Sequence, residues 1–183
     1  MENTLDEANK ELGNGIGGSI SVTACFTGHR SKKLPWGYDE TDERCVAMKK
    51  RLREEIEKAI ECGYRIFLCG MALGFDIICA ETVLELKKKH ADIRIIGALP
   101  CRTQDKRWSA KNRERYGAVA AQLDGIRCIY DDYTGAECME ERNRFMVDNS
   151  SLVIALYDGR GGGTKKTIDY ARKQGLKVDM IEI

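Results

Sequence analysis

The sequence predicts an α/β fold: a three-layer α/β/α sandwich around a mostly parallel sheet of about six strands. Three observations carry that prediction. From Ser21 onward, β-rich apolar runs alternate with helical stretches. Most of the apolar runs are continuous in Ile, Val, Leu, Phe and Cys, as in strands buried on both faces. Nearly all the glycine and polar singularities come directly after one of those runs.

The strands are expected over Val22–Thr27, Arg65–Cys69, Ile93–Leu99, Ile126–Tyr130, Ser151–Tyr157 and Lys177–Ile181. The first helix, Thr41–Cys62, places Val46, Met48, Leu52, Ile56, Ala59 and Ile60 at near-helical spacing, pairs Glu54 with Lys58 and stops at Gly63. Four more helices are expected over Phe75–Lys89, Gln104–Leu123, Ala136–Asn149 and Thr164–Gln174, the last closed by Gly175. No internal repeat or low-complexity linker interrupts the series. The order is that of a Rossmann-like domain.

At 183 residues the chain is sized for one domain with its own core, expected over 20–183 after a flexible extension over 1–19. That extension lacks the apolar middle and cleavage site of a signal peptide. No apolar run approaches the roughly 20 residues that cross a bilayer, so no membrane partner is expected. Lys plus Arg number 30 against 29 Asp plus Glu, which gives no overall pull toward nucleic acid. The eight cysteines lack a C-x-x-C pair and mostly sit in apolar stretches, which reads as small buried hydrophobes in a reducing cytoplasm. Only His29 and His90 offer imidazole, so no metal site is expected. Oligomeric state is left open, including a homo-oligomer.

In an open parallel sheet the carboxyl ends of the strands line one crevice, and ligands bind where the strand order reverses. The candidate site therefore gathers from the strand exits. Gly161, Gly162, Gly163 and Thr164 follow the fifth strand, where glycines let backbone amides approach a phosphate and a helix N-terminus favours an anion. Thr164 is a candidate donor or cap. A plain turn explains a lone glycine run equally well. Gly70, Gly74 and Asp76 repeat the theme after the second strand, with Asp76 either an acceptor for ribose hydroxyls or a first-turn acid on the helix dipole. Gly28, His29 and Arg30 bring a cation and a proton-transfer group to the first exit. Arg142 and Asn143 lie on the helix before the fifth strand, positioned to close the site or to form a solvated face. Arg107, Lys111 and Arg115 recur every four residues as a basic helical stripe, better read as solvated than as a nucleic-acid surface. Trp108 and Tyr116 on the same helix read as packing residues. No G-K-[ST] occurs, which argues against a P-loop NTPase.

Taken in order, Thr27-Gly28-His29-Arg30, Gly70 to Asp76, Leu99-Pro100 with Gln104, Trp108 and Tyr116, Glu141 to Asn149, and Gly162-Gly163-Thr164 resemble the SLOG superfamily of Rossmann-like nucleotide-binding domains. Within it the match is to the YpsA-like branch, also called domain of unknown function 1273, over about Cys25 to Ile181. Gly70, Ala72, Gly74 and Asp76 are similar to the G-x-A-x-G-[IF]-D stretch of the DNA-processing protein A family, which implies single-stranded DNA as one partner class. Met139, Arg142, Asn143 and Met146 are similar to the M-x-x-R-K-x-x-M helix of the LOG phosphoribohydrolases, with Asn143 in place of lysine. Their P-G-G-x-G-T-x-x-E motif falls on Gly159 to Thr167, where Gly163 and Thr164 match and Thr167 replaces the catalytic glutamate. A hydroxyl cannot supply that carboxylate. The resemblance implies a nucleotide-type ligand such as NAD, ADP-ribose or a nucleoside monophosphate, with no other cofactor. No catalytic residue is assigned beyond Asp76 and Arg142 as candidates.

Overall fold

A computed structural model describes residues 19–182. Of the extension expected over 1–19, residues 1–18 lie outside the described residues. Six strands form one sheet, β1 (Thr23–Thr27), β2 (Ile66–Cys69), β3 (Arg94–Cys101), β4 (Gly125–Tyr130), β5 (Leu152–Tyr157) and β6 (Lys177–Glu182). Five helices connect them: α1 (Glu43–Glu61), α2 (Phe75–Lys87), α3 (Ala110–Ala120), α4 (Ala136–Asp148) and α5 (Gly163–Lys173). Strand order is β4-β3-β2-β1-β5-β6 and every pairing is parallel, so the sheet is wholly rather than mostly parallel. The chain steps outward from β1 to β4 and then returns to place β5 on the other side of β1. The reversal between β1 and β5 is the switch point.

Alternate residues of each strand face opposite helical layers. Phe26 and Phe67 stack with ring centroids 5.9 Å apart on the side covered by α1, α2 and α3, together with Ile95, Leu99, Leu152, Ile154 and Leu156. Cys25, Leu68, Ile96, Ala98, Val153 and Ala155 face the other way, against Met146 and Val147 of α4 and Ile168 and Ala171 of α5. Both faces are therefore dry, which accounts for continuous rather than alternating apolar runs.

Several boundaries differ from those expected. Val22 belongs to a short 3-10 turn, Ile20–Val22, so β1 starts at Thr23. β3 runs on through Pro100 and Cys101. Its pairing with β2 ends at Cys69↔Gly97, so no strand waits on that side for the N–H that Pro100 lacks. The helix expected from Gln104 begins only at Ala110, because the Ser109 hydroxyl accepts from the Asn112 amide and caps it, while Lys106 and Trp108 close turns before it. It ends at Ala120, and α2 ends at Lys87 rather than Lys89. In α1 the pairs are Lys50 with Glu54 and Glu55 with Lys58, rather than Glu54 with Lys58. Gly63 and Gly175 stop their helices with φ of +94° and +79°. All eight cysteines are free thiols; Cys62 is exposed and Cys128 half-buried, so burial holds for the other six.

Candidate functional site

The exits of β1, β2 and β5 converge at the switch point. His29 is buried, and its Nε2 lies 2.8 Å from Asp158 Oδ1 of the β5 exit. An ionised carboxylate only accepts, so Nε2–H donates. Asp158 also accepts from the backbone amide of Arg160 at 3.0 Å and ion-pairs with its guanidinium. Burial works to raise the Asp158 carboxyl, but the Arg160 and His29 hydrogen bonds outweigh it and hold it well below the usual carboxylate range. Arg160 Nη2 reaches across to the Lys33 carbonyl at 3.2 Å, tying the β5 exit to the β1 exit.

The glycines of the site divide into two kinds. At Gly28 a β-carbon would lie 2.6 Å from Phe75 Cγ. At Gly70 it would overlap the Arg142 guanidinium and lie 2.6 Å from Asp76 Oδ2. Gly74 has φ +105°, and a β-carbon there would lie 2.8 Å from the His29 carbonyl oxygen, beside the bond that carbonyl accepts from the Phe75 amide. Internal packing thus accounts for these three. Gly161 and Gly163 are different, since an added β-carbon meets nothing within 4 Å. Between them Gly162 has φ +144° and is the N-cap of α5, with no side-chain cap. Of the two roles open to Thr164, donor or cap, the second is therefore not taken; it sits one residue inside the helix and is buried. The first N–H groups of α5 are left for solvent or a ligand. The Lys33 ammonium stands 3.3 Å from where a Gly162 β-carbon would be, and no described residue pairs with it.

Asp76 and Arg142 form a buried pair under the β2 exit, Oδ2 to Nη1 3.6 Å. Asp76 Oδ2 also accepts from the Ala72 amide at 3.2 Å. Burial raises the Asp76 carboxyl, with Arg142 and that amide opposing, and burial likewise lowers Arg142 against the pull of Asp76. Asp76 thus faces a guanidinium of its own chain. Asn143, the next residue, is half-buried, and Arg144 turns away over the Tyr170 ring at 5.9 Å. Arg30 is exposed and sends Nη2 toward Met139 Sδ of α4 at 3.8 Å. The β2 exit carries one strained residue, Met71 with φ +55°, whose carbonyl accepts from Gln104 Nε2 at 3.3 Å.

The expected basic stripe is not formed. Arg107 precedes α3, and Arg115 is engaged by Glu40 and Glu81, so of the three only Lys111 stands on α3 without an ion-pair partner among the described residues. Trp108 and Tyr116 pack edge to face at 5.3 Å. Thr167 Oγ1 donates back to the Gly163 carbonyl at 3.0 Å, which occupies the hydroxyl within the helix. The structure therefore brings together Gly28, His29, Arg30, Gly70, Gly74, Asp76, Arg142 and Gly161 to Thr164. It adds Lys33, Asp158, Arg160 and Met139. Asp158 was legible as the first polar residue after β5; Lys33 had no local signal, since only the fold carries it to Gly162.

Comparison with known proteins agrees with this architecture. The chain is 35% identical over 145 residues to the SPbeta prophage-derived protein YoqJ of Bacillus subtilis, covering 72% of this chain and 84% of that protein. It is 28% identical over 130 residues to a UPF0398 protein of Brevibacillus brevis, covering 70% of this chain and 69% of the relative. Among solved structures, DNA processing protein A from Streptococcus pneumoniae superposes with TM-score 0.63 at 15% identity, covering 87% of this chain and 50% of that one. DNA processing protein A from Helicobacter pylori, described with its single-stranded DNA binding mode, gives TM-score 0.60 at 18% identity over 88% and 65%. The chain thus spans half to just under two thirds of those two structures, and the likeness is one of fold. The model of the YspA SLOG family matches residues 24–182, from β1 to the end of β6, and the chain belongs to that family.

Proposed function

We propose that this domain binds a phosphate-bearing nucleotide or nucleotide derivative, of the NAD, ADP-ribose or nucleoside monophosphate type, between the β1 and β5 exits. The observation that carries this reading is that Gly161 and Gly163 have no packing neighbour to explain them, at an uncapped helix N-terminus beside an unpaired Lys33. A positive helix end and an ammonium repel one another unless an anion joins them. Binding rather than LOG-type hydrolysis is favoured because Thr167 replaces the glutamate and spends its hydroxyl on Gly163. A reducing cytoplasm suits such a ligand and the eight free thiols. Calorimetric titration with NAD, ADP-ribose and AMP tests the reading. At least one is expected to bind below millimolar and to be lost in Gly163→Asp; no binding by any of them, or no effect of that substitution, overturns it.

A second reading draws on the fold shared with DNA processing protein A and on the exposed Arg30, Lys32 and Lys33 at the crevice mouth. It takes single-stranded DNA as the partner. Counterion release makes such binding fall steeply with salt. Fluorescence anisotropy with a short oligonucleotide distinguishes the two, and salt-insensitive or absent binding removes this one.

A further inference from the structure

One buried guanidinium at the crevice, that of Arg142, lacks an adequate acceptor among the described residues, and the exposed Arg30 approaches the same sulfur. Arg142 is 5% exposed, and its Nε and Nη1 have no hydrogen-bond partner. Its Nη2 is turned to Met139 Sδ at 4.0 Å, the same sulfur that Arg30 Nη2 approaches at 3.8 Å. A thioether is a weak acceptor, and buried cationic donors are ordinarily satisfied by stronger ones. Asp76 lies within ion-pairing distance of Nη1 but beyond hydrogen-bonding distance, and it is one carboxylate against two cations. Gly70 keeps the space that the Arg142 guanidinium occupies, so the sequence reserves this position for that group.

We propose that Arg30 and Arg142 form a second oxyanion seat, taking a phosphoryl group in the place now held by the Met139 sulfur. The seat stands on the arginines alone; the ligand class that follows rests on the glycine-loop reading above. Arg142 stands at the β2 exit, Arg30 at the β1 exit, and the glycine loop follows β5. A nucleotide that carries two phosphoryl groups offers one to each seat.

Arginine Nε–H spectra of the full chain, assigned through the backbone and titrated with inorganic phosphate, test the seat directly. The Arg142 signal is expected to shift on saturation, together with the Gly161 to Gly163 amides. Movement of those amides with a silent Arg142 overturns the seat and leaves the glycine-loop reading standing. Movement of Arg142 alone supports the seat and overturns the two-group ligand, and silence at both positions overturns both readings. Calorimetry then compares AMP, ADP and adenosine 3′,5′-bisphosphate. At least one of the two ligands with two phosphoryl groups is expected to bind about tenfold tighter than AMP, the scale of one charge-assisted hydrogen bond, and Arg30→Gln to remove that preference. Equal affinity for all three in the natural protein overturns the ligand class.

Discussion

Glycines that look alike in the sequence have opposite jobs at the level of single residues. Gly28 touches the Phe75 ring, so Gly28→Ala is expected to lower stability by about 1–3 kcal/mol through overpacking, read by denaturant melting. A β-carbon at Gly163 would meet nothing within 4 Å and the residue begins a helix, so Gly163→Ala is expected to change stability by less than about 0.5 kcal/mol while weakening nucleotide binding. A stable Gly28→Ala protein, or a melted Gly163→Ala one, contradicts this division. Asp158 carries a pH signature. Its folded-state pKa is depressed below the unfolded value near 3.9, so its contribution is complete above that value and lost as pH falls through the folded one. Asp158→Asn should melt below the natural protein at pH 7, with the gap narrowing below about pH 4. A gap that stays constant with pH assigns the loss to packing instead of ionisation.

Among the elements, α4 is docked through the buried pair of Asp76 and Arg142. Arg142→Leu strands a carboxylate without its counter-charge and is expected to cost about 3 kcal/mol or more, and adding Asp76→Asn should recover part of that loss. A double variant no more stable than the single one excludes the uncompensated charge as the cause. At α3 the first turn depends on Ser109, and Ser109→Ala is expected to cost about 1 kcal/mol. Arg107→Ala lies outside the helix and is exposed, so it should be neutral within about 0.5 kcal/mol. Equal effects of the two substitutions on thermal stability place the helix start wrongly. Helical spacing in the sequence continues back to Gln104, which is why periodicity alone extends the helix, and the basic stripe with it, past the true start at Ala110. What stops the helix is a capping hydroxyl, and what holds Gln104 away is the Met71 carbonyl, a tertiary contact with no local trace. By contrast α1 was legible over most of its length, because its apolar face and Gly63 stop are local; the exceptions are its start, Glu43 rather than Thr41 behind an Asp42 cap, and Val46, which is exposed.

The whole molecule is a sheet with a protected centre and two edges. β1 is buried at every residue and flanked by β2 and β5, whereas β6 pairs on one side and is largely uncovered. Hydrogen exchange is therefore expected to be slowest in β1 and its neighbours and much faster in β6. Comparable protection in β6 and β1 shows that the β6 edge is covered in solution.

The amino-acid sequence by itself determined the class of fold, the six strands in order, and the concentration of glycine and charge at their carboxyl ends. These follow from hydrophobic periodicity and backbone preference, which act between near neighbours in the chain. Only the tertiary structure decided that β5 returns beside β1, and with it that His29 meets Asp158, that Lys33 stands over Gly162 and that Arg30 joins Arg142 at one sulfur. Such pairings depend on strand order and on close approach between distant exits, and a linear pattern carries no distance between them.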